Sequence, residues 1–138
     1  MMIRLIYASR AVNLGPADVK DILASSRKNN QQLAITGALC LSNGIFLQCL
    51  EGERSAVNAL YHHILKDKRH VRPEVLSLEE ITQRQFTSWN MGLVAATSEN
   101  TTLFLKYSAT ADFDPYSMPA AALTEFFTEV IKNSKWLS

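Results

Sequence analysis

Apolar and polar positions alternate along the chain in patterns that change period several times. IRLIYAS (3–9) is β-branched and aromatic and predicts a strand. Asn13-Leu14-Gly15-Pro16 breaks it, and Pro16 suits the first turn of a helix. Val19, Ile22 and Leu23 then recur at helical spacing, with Lys and Asp residues on the other side; the helix is expected to fade near Arg27–Asn30. LAITGALCL and IFLQCL flank Ser42-Asn43-Gly44, and Asn-Gly between apolar runs is the strongest short hairpin signal. Val57, Leu60, Tyr61, Ile64 and Leu65 make an amphipathic helix. The basic KDKRH (66–70) is taken to close that helix; RPEVLSLEEIT, after Pro73, reads as a strand, and SWNMGLVAA (88–96) as a short further one. ENTTLFLKYSA predicts a short helix and DFDPYSMP a linker-like turn. PAAALTEFFTEVIKNSKW, with Ala122, Leu123, Phe126, Phe127, Val130 and Ile131 apolar, predicts a last amphipathic helix.

Strand, helix, strand, strand, helix, strand is the α+β, ferredoxin-like βαββαβ order, with both helices on one sheet face and an extra fifth strand. The expected organisation is a domain over 1–97 and a C-terminal helical extension over 98–138, packed on or next to the sheet. The chain has 138 residues, 47% hydrophobic and 20% charged, which is globular composition of one-domain size. A formal net charge of +1 gives no broad basic field for nucleic acid. No apolar run approaches the ~20 residues that span a bilayer, and the first residues lack a signal peptide's apolar region. Cys40 and Cys49 make no secreted disulfide framework, so the expected location is the cytoplasm, with both thiols buried and free.

The chemistry has to come from particular residues, because this fold hosts many functions. Gln48 interrupts the apolar run GIFLQCLEG, where an unpaired amide costs about 1–3 kcal/mol. Alternation puts Phe46, Gln48 and Leu50 on one face of their strand, and Ile3, Leu5 and Tyr7 on one face of the first. The first and third strands are central neighbours in this fold, so Tyr7 and Gln48 meet beneath the helices. They form either a polar pair that simply satisfies itself or part of a site under the helix–helix groove. Asn29 and Asn30 close the first helix as caps, or offer an amide to the edge of a planar heterocycle. KDKRH complements the second helix's dipole, or holds a phosphate, with Asp67 free to accept from a ribose hydroxyl. Adjacent His62 and His63 diverge on a helix and make no chelating pair. Ser9, Ser25 and Ser26 have no His–Asp partners at recognisable spacing, and neither a G-x-S-x-G nor a Gly-rich phosphate loop occurs.

The conjunction is more specific than any part. A Tyr near the end of strand one, K-N-N after helix one, I-T-G-A-L, F-L-Q-x-L-E-G-E, D-K-R-H after helix two and R-Q-F-x-x-W-x-M follow one another over residues 2–95. This resembles the BLUF family, the blue-light sensors that use flavin. The resemblance implies a flavin, usually FAD with FMN or riboflavin as substitutes, between the two helices. Tyr7 matches the photoactive tyrosine and Gln48 the glutamine linking it to the flavin; Asn30 matches the asparagine at the ring's imide edge, with Asn29 and Lys28 beside it. Ile22, Phe46 and Ile64 match positions lining the ring. Asp67, Arg69 and His70 match the ribityl and phosphate end, and Trp89 and Met91 the mobile segment near the flavin. The implied protein is a non-enzymatic photoreceptor that signals through a downstream protein or by self-association. Cys49 departs from the family, where a bulky or branched residue is common. Two other readings compete: a small acyl-phosphate hydrolase, which lacks the Arg-bearing loop it needs between strand one and helix one, and a light-independent flavin-binding or dimerising regulatory module.

Overall fold

The structure, a computed structural model, describes residues 1–87, 91–94, 103, 105–108, 113–133 and 136–137. Strand β1 (Met2–Ala11) leads through a short loop into α1 (Pro16–Leu33), whose first turn is set by Pro16 and by the Gly15 N–H donating to Asp18 Oδ2 at 2.9 Å. β2 (Thr36–Ser42) and β3 (Ile45–Glu53) form the hairpin, with Asn43 and Gly44 at φ 55° and 71°, the paired positive angles of a tight hairpin turn. α2 (Arg54–Ile64), β4 (His70–Ile81) and β5 (Gly92–Val94) follow. After a 3₁₀ turn at Pro115–Ser117 come α3 (Ala120–Asn133) and a two-residue strand β6 (Trp136–Leu137). The sheet order is β4-β1-β3-β2-β5-β6. Its first four strands pair antiparallel in the ferredoxin-like order; β5 joins β2 in parallel and β6 joins β5 antiparallel.

The sheet separates two cores. On one face Ile3, Leu5, Tyr7, Leu39, Phe46 and Leu50 meet Leu23 of α1 and Val57 and Leu60 of α2. On the other, Ile6, Ala8, Ala38, Leu47 and Cys49 meet Phe86, Phe113, Met118 and, from α3, Leu123, Phe126 and Phe127. Alternation along β1 and β3 produces this division directly. Both cysteines are buried and free on the α3 side.

Five details differ from the sequence reading, each for a physical reason. α1 does not fade at Asn29–Asn30 but continues to Leu33 and ends on Ala34 at φ 54°. Asn30 is fully buried, seven residues after buried Leu23, so a polar residue occupies an apolar slot and hides the periodicity. KDKRH does not close α2: the helix stops at Ile64, 66–69 form the turn, and His70 begins β4. β4 takes in Pro73 because it is an edge strand, where a missing N–H is tolerated. DFDPYSMP is no linker, since Phe113 and Met118 anchor it in the α3-side core. The last helix stops at Asn133 rather than 136, and Trp136–Leu137 leave it to extend the sheet past the expected fifth strand. Leu103 and 105–107 are helical, as the expected short helix requires.

Candidate functional site

The antiparallel register of β1 and β3 places Tyr7 directly opposite Gln48. The Tyr7 hydroxyl donates to Gln48 Oε1, and Gln48 Nε2 donates to Met91 Sδ at 3.5 Å. Tyr7, Gln48 and Met91 are 4%, 3% and 2% exposed, so the chain of contacts is sealed from water. Its two ends are unequal. The phenol is a strong partner for the amide oxygen, whereas a thioether is a weak acceptor for the amide nitrogen. Burial, helped by Tyr61 and Asp67, pushes the Tyr7 phenol well above its ordinary pKa, so it keeps its proton at neutral pH. The Tyr61 ring lies 5.3 Å from that of Tyr7, tilted by 58°. Met91 is fixed from α1, where Arg27 Nε donates to its carbonyl oxygen at 3.1 Å, and by β5, which starts at the next residue.

A groove with a cavity volume of about 170 Å³ opens between α1 and α2 above this pair, narrower than the ~300–1,000 Å³ usual for small-molecule sites. Its strand floor includes Tyr7, Ser9, Leu39, Phe46 and Gln48. α1 lines it with Ile22, Ser25, Ser26 and Asn29, which fall at i, i+3, i+4 and i+7 and so share one helix face. Leu60, His63 and Ile64 of α2 form the facing wall, and Asp67, Arg69 and His70 the end beyond the helix. Ser9 is fully buried, and its Oγ has no hydrogen-bond partner among the described residues. Asp67 accepts from the Arg69 backbone N–H at 2.9 Å and from its Nη2 at 2.7 Å. The Arg69 hydrogen bond holds the Asp67 carboxyl below its ordinary pKa. His70 Nε2 lies 2.8 Å from the Ile64 carbonyl oxygen, which ties the start of β4 to the end of α2.

The structure thus brings Tyr7, Ile22, Asn29, Phe46, Gln48, Ile64, Asp67, Arg69 and His70 around one groove. Met91 touches Gln48 from the side. Asn30 is buried in α1 outside the lining, and Lys28 is exposed and also outside it. Trp89 lies outside the described residues. By sequence spacing Ser9, Ser25 and Ser26 present themselves only as nucleophile candidates and His63 only as a metal-ligand candidate. Sequence reasoning passes over Leu39 and Leu60. The signal was available: Ser9 shares the Tyr7 face of β1, and the two serines lie between Ile22 and Asn29 on one helical stripe.

On the opposite sheet face sits a second polar assembly. Glu51, fully buried, accepts from Arg4 Nε at 2.9 Å and Nη2 at 2.8 Å, and from the backbone N–H groups of Gln85 and Phe86 at 3.0 Å each. Arg4 also reaches Glu79 at 2.7 Å. Gln85 Nε2 donates to Thr128 of α3 at 3.0 Å. Glu51 therefore pins the segment leading to Met91, three positions along β3 from Gln48.

Residues 2–92 match the model of the family described as BLUF, sensors of blue-light using FAD. A photoactivated adenylate cyclase subunit beta from Euglena longa is 35% identical over 97 residues, 69% of this chain. The chain spans only 11% of that relative's length. Among solved structures, one titled BlsA photo-activated state is similar at a TM-score of 0.91 and 30% identity, covering 100% of this chain and 99% of that one. BlrB, described as a BLUF protein in its dark state, is similar at 0.78 and 32% identity, covering 93% of this chain and 96% of that one.

Proposed function

The chain belongs to the BLUF family, sensors of blue light using FAD, and from that premise we propose that it is a blue-light photoreceptor whose switch is the buried Tyr7–Gln48–Met91 contact. The chemistry of the groove's lining suits a flavin. The lining is apolar at Ile22, Phe46 and Ile64, its outer end is polar, and Ser9 Oγ lies on its floor buried without a partner among the described residues. Tyr7, Gln48, Phe46, Ile22, Asn29 and Ile64 would hold the ring, with Asp67, Arg69 and His70 toward the tail. Asn30 and Lys28 enter the reading through the family motif alone. FAD is the favoured form, with FMN and riboflavin as substitutes.

When bound and excited by blue light, the flavin supplies a strong oxidant. Tyr7 is the donor: it is reduced, protonated and hydrogen-bonded to Gln48 Oε1, so it would give an electron to a bound, excited flavin and its phenolic proton by way of Gln48, and take both back. Gln48 is the memory. Its amide can come out rearranged, by rotation or by tautomerisation. Rotation brings Nε2 toward Tyr7 and Oε1 toward Met91 Sδ, which has no proton to donate, so Met91 must yield. The altered amide would present different hydrogen bonding to a bound ring, whose absorption would move to the red, with no net oxidation of Tyr7. A buried polar network with two arrangements serves as a bistable element.

In this reading residues 1–97 sense light and 98–138 form the output side, passing the change in Gln48 and Met91 to a partner protein or a second copy. The relative's cyclase activity is not carried over, and the protein acts without catalysis. The family match disfavours a light-independent module. The observation that carries the reading is the sealed Tyr7–Gln48–Met91 chain at the floor of the groove. Flavin reconstitution followed by a blue-flash difference spectrum tests it: a small, reversible red shift supports it, and a bound flavin with no shift refutes it.

A further inference from the structure

We infer that Asp21 sets the protein's preference among flavin tails, by competing with a terminal phosphate for the Arg69 guanidinium. The inference rests on the flavin reading of the groove and concerns its outer end. Arg69 is the guanidinium in the lining there, and both of its hydrogen-bonding edges are taken. Nε and Nη2 go to Asp67 at 2.7–3.1 Å, and Nη1 goes to Asp21 at 2.8 Å. A phosphate bound in the usual forked manner needs parallel N–H groups from one such edge. Two carboxylates against one guanidinium also cancel its own pull on a phosphate dianion.

The two carboxylates differ in how easily they yield. Asp67 is bound within its own turn, with the Arg69 backbone N–H adding to the side-chain contacts. Asp21 comes from α1, is not part of the lining, is 67% exposed and among the described residues is held by Arg69 alone. It is the partner a phosphate displaces. Lys66 and Lys68 sit in the same turn, both exposed; these cations draw phosphate toward the mouth without freeing Arg69. The consequence is that uncharged riboflavin and phosphorylated FMN bind the native protein about equally.

The test is binding of riboflavin and of FMN to the flavin-free protein, read by quenching of flavin fluorescence, for the native chain, Asp21→Asn and Asp21→Asn/Arg69→Gln. An exposed ion pair is worth up to about 1 kcal/mol, so Asp21→Asn is expected to tighten FMN by about three- to fivefold. Riboflavin binding is expected to stay unchanged, because Asp21 is exposed and off the groove. High salt is expected to abolish the FMN gain, and so is the double substitution. Equal changes for both flavins, no change for FMN, or a gain that survives Arg69→Gln overturns the role of Asp21. Failure of the native chain to bind either flavin overturns the flavin reading itself, and the inference with it.

Discussion

Replacing Glu51 with Gln removes one charge and no volume from the fully buried contact that joins β1, β3 and the segment leading to Met91. The amide oxygen can still accept from the Gln85 and Phe86 N–H groups, but the new NH₂ then faces the Arg4 guanidinium, donor against donor. Breaking a buried ion pair from one side costs about 3–5 kcal/mol. Arg4 keeps Glu79, which is 44% exposed, so the lower end applies: about 3 kcal/mol, or a drop of about 10 °C in Tm for a chain of this size. Glu51→Leu strands the two backbone N–H groups as well and is expected to lose about 2 kcal/mol more. Adding Arg4→Met to Glu51→Leu removes the guanidinium left with Glu79 alone and recovers part of the loss, leaving the N–H share. Urea unfolding followed by far-UV circular dichroism measures all three. A loss below about 1 kcal/mol for Glu51→Gln, far under the cost of a broken buried pair, refutes the assignment of Glu51 as the clamp. The same substitution loosens the approach to Met91, so the flavin-bound variant is expected to show an altered dark spectrum.

Four further substitutions probe other parts of the account. Tyr7→Phe and Gln48→Leu are each expected to bind flavin and lose the light-induced shift; a normal shift in either rules that residue out of the switch. A Cβ at Gly37 lies 2.0 Å from the Cys49 carbonyl oxygen in the β2–β3 pairing, so Gly37→Ala is expected to cost at least the ~1–3 kcal/mol of ordinary overpacking, read as a lower Tm. Asp67, held below its ordinary pKa by the Arg69 hydrogen bond, contributes stability that is complete above its unfolded value of about 3.9 and lost as pH falls through the folded value. Below about pH 4 the native chain is expected to lose stability more steeply than Asp67→Asn, measured as urea midpoints across that range; parallel profiles contradict it.

The two-period patterns made most of the fold legible. Alternation in IFLQCL and IRLIY assigns the sheet faces, and Asn43-Gly44 assigns the turn, because these are local rules that tertiary packing has no reason to override. The end of α1 was hidden because Asn30 is a polar residue in a buried helical slot. The sequence also reads DFDPYSMP as punctuation, when its Phe113 and Met118 are core residues between turn formers. Two residues of strand at Trp136–Leu137 carry no period at all, and only the free edge of β5 determines them. At the site, Tyr7 and Gln48 follow from strand register. The groove-facing serines of α1 were visible as a stripe but were judged by nucleophile spacing instead. Glu51 looked like the end of a strand beside Gly52 and Glu53. Its burial depends on Arg4, 47 positions away, and on a turn 34 positions later, contacts that no local pattern encodes.

The most direct test of the central claim is a visible absorption spectrum of the flavin-bound protein in the dark and after a blue flash. The account predicts a flavin spectrum that moves slightly to the red and returns in the dark. A bound flavin whose spectrum does not move contradicts it.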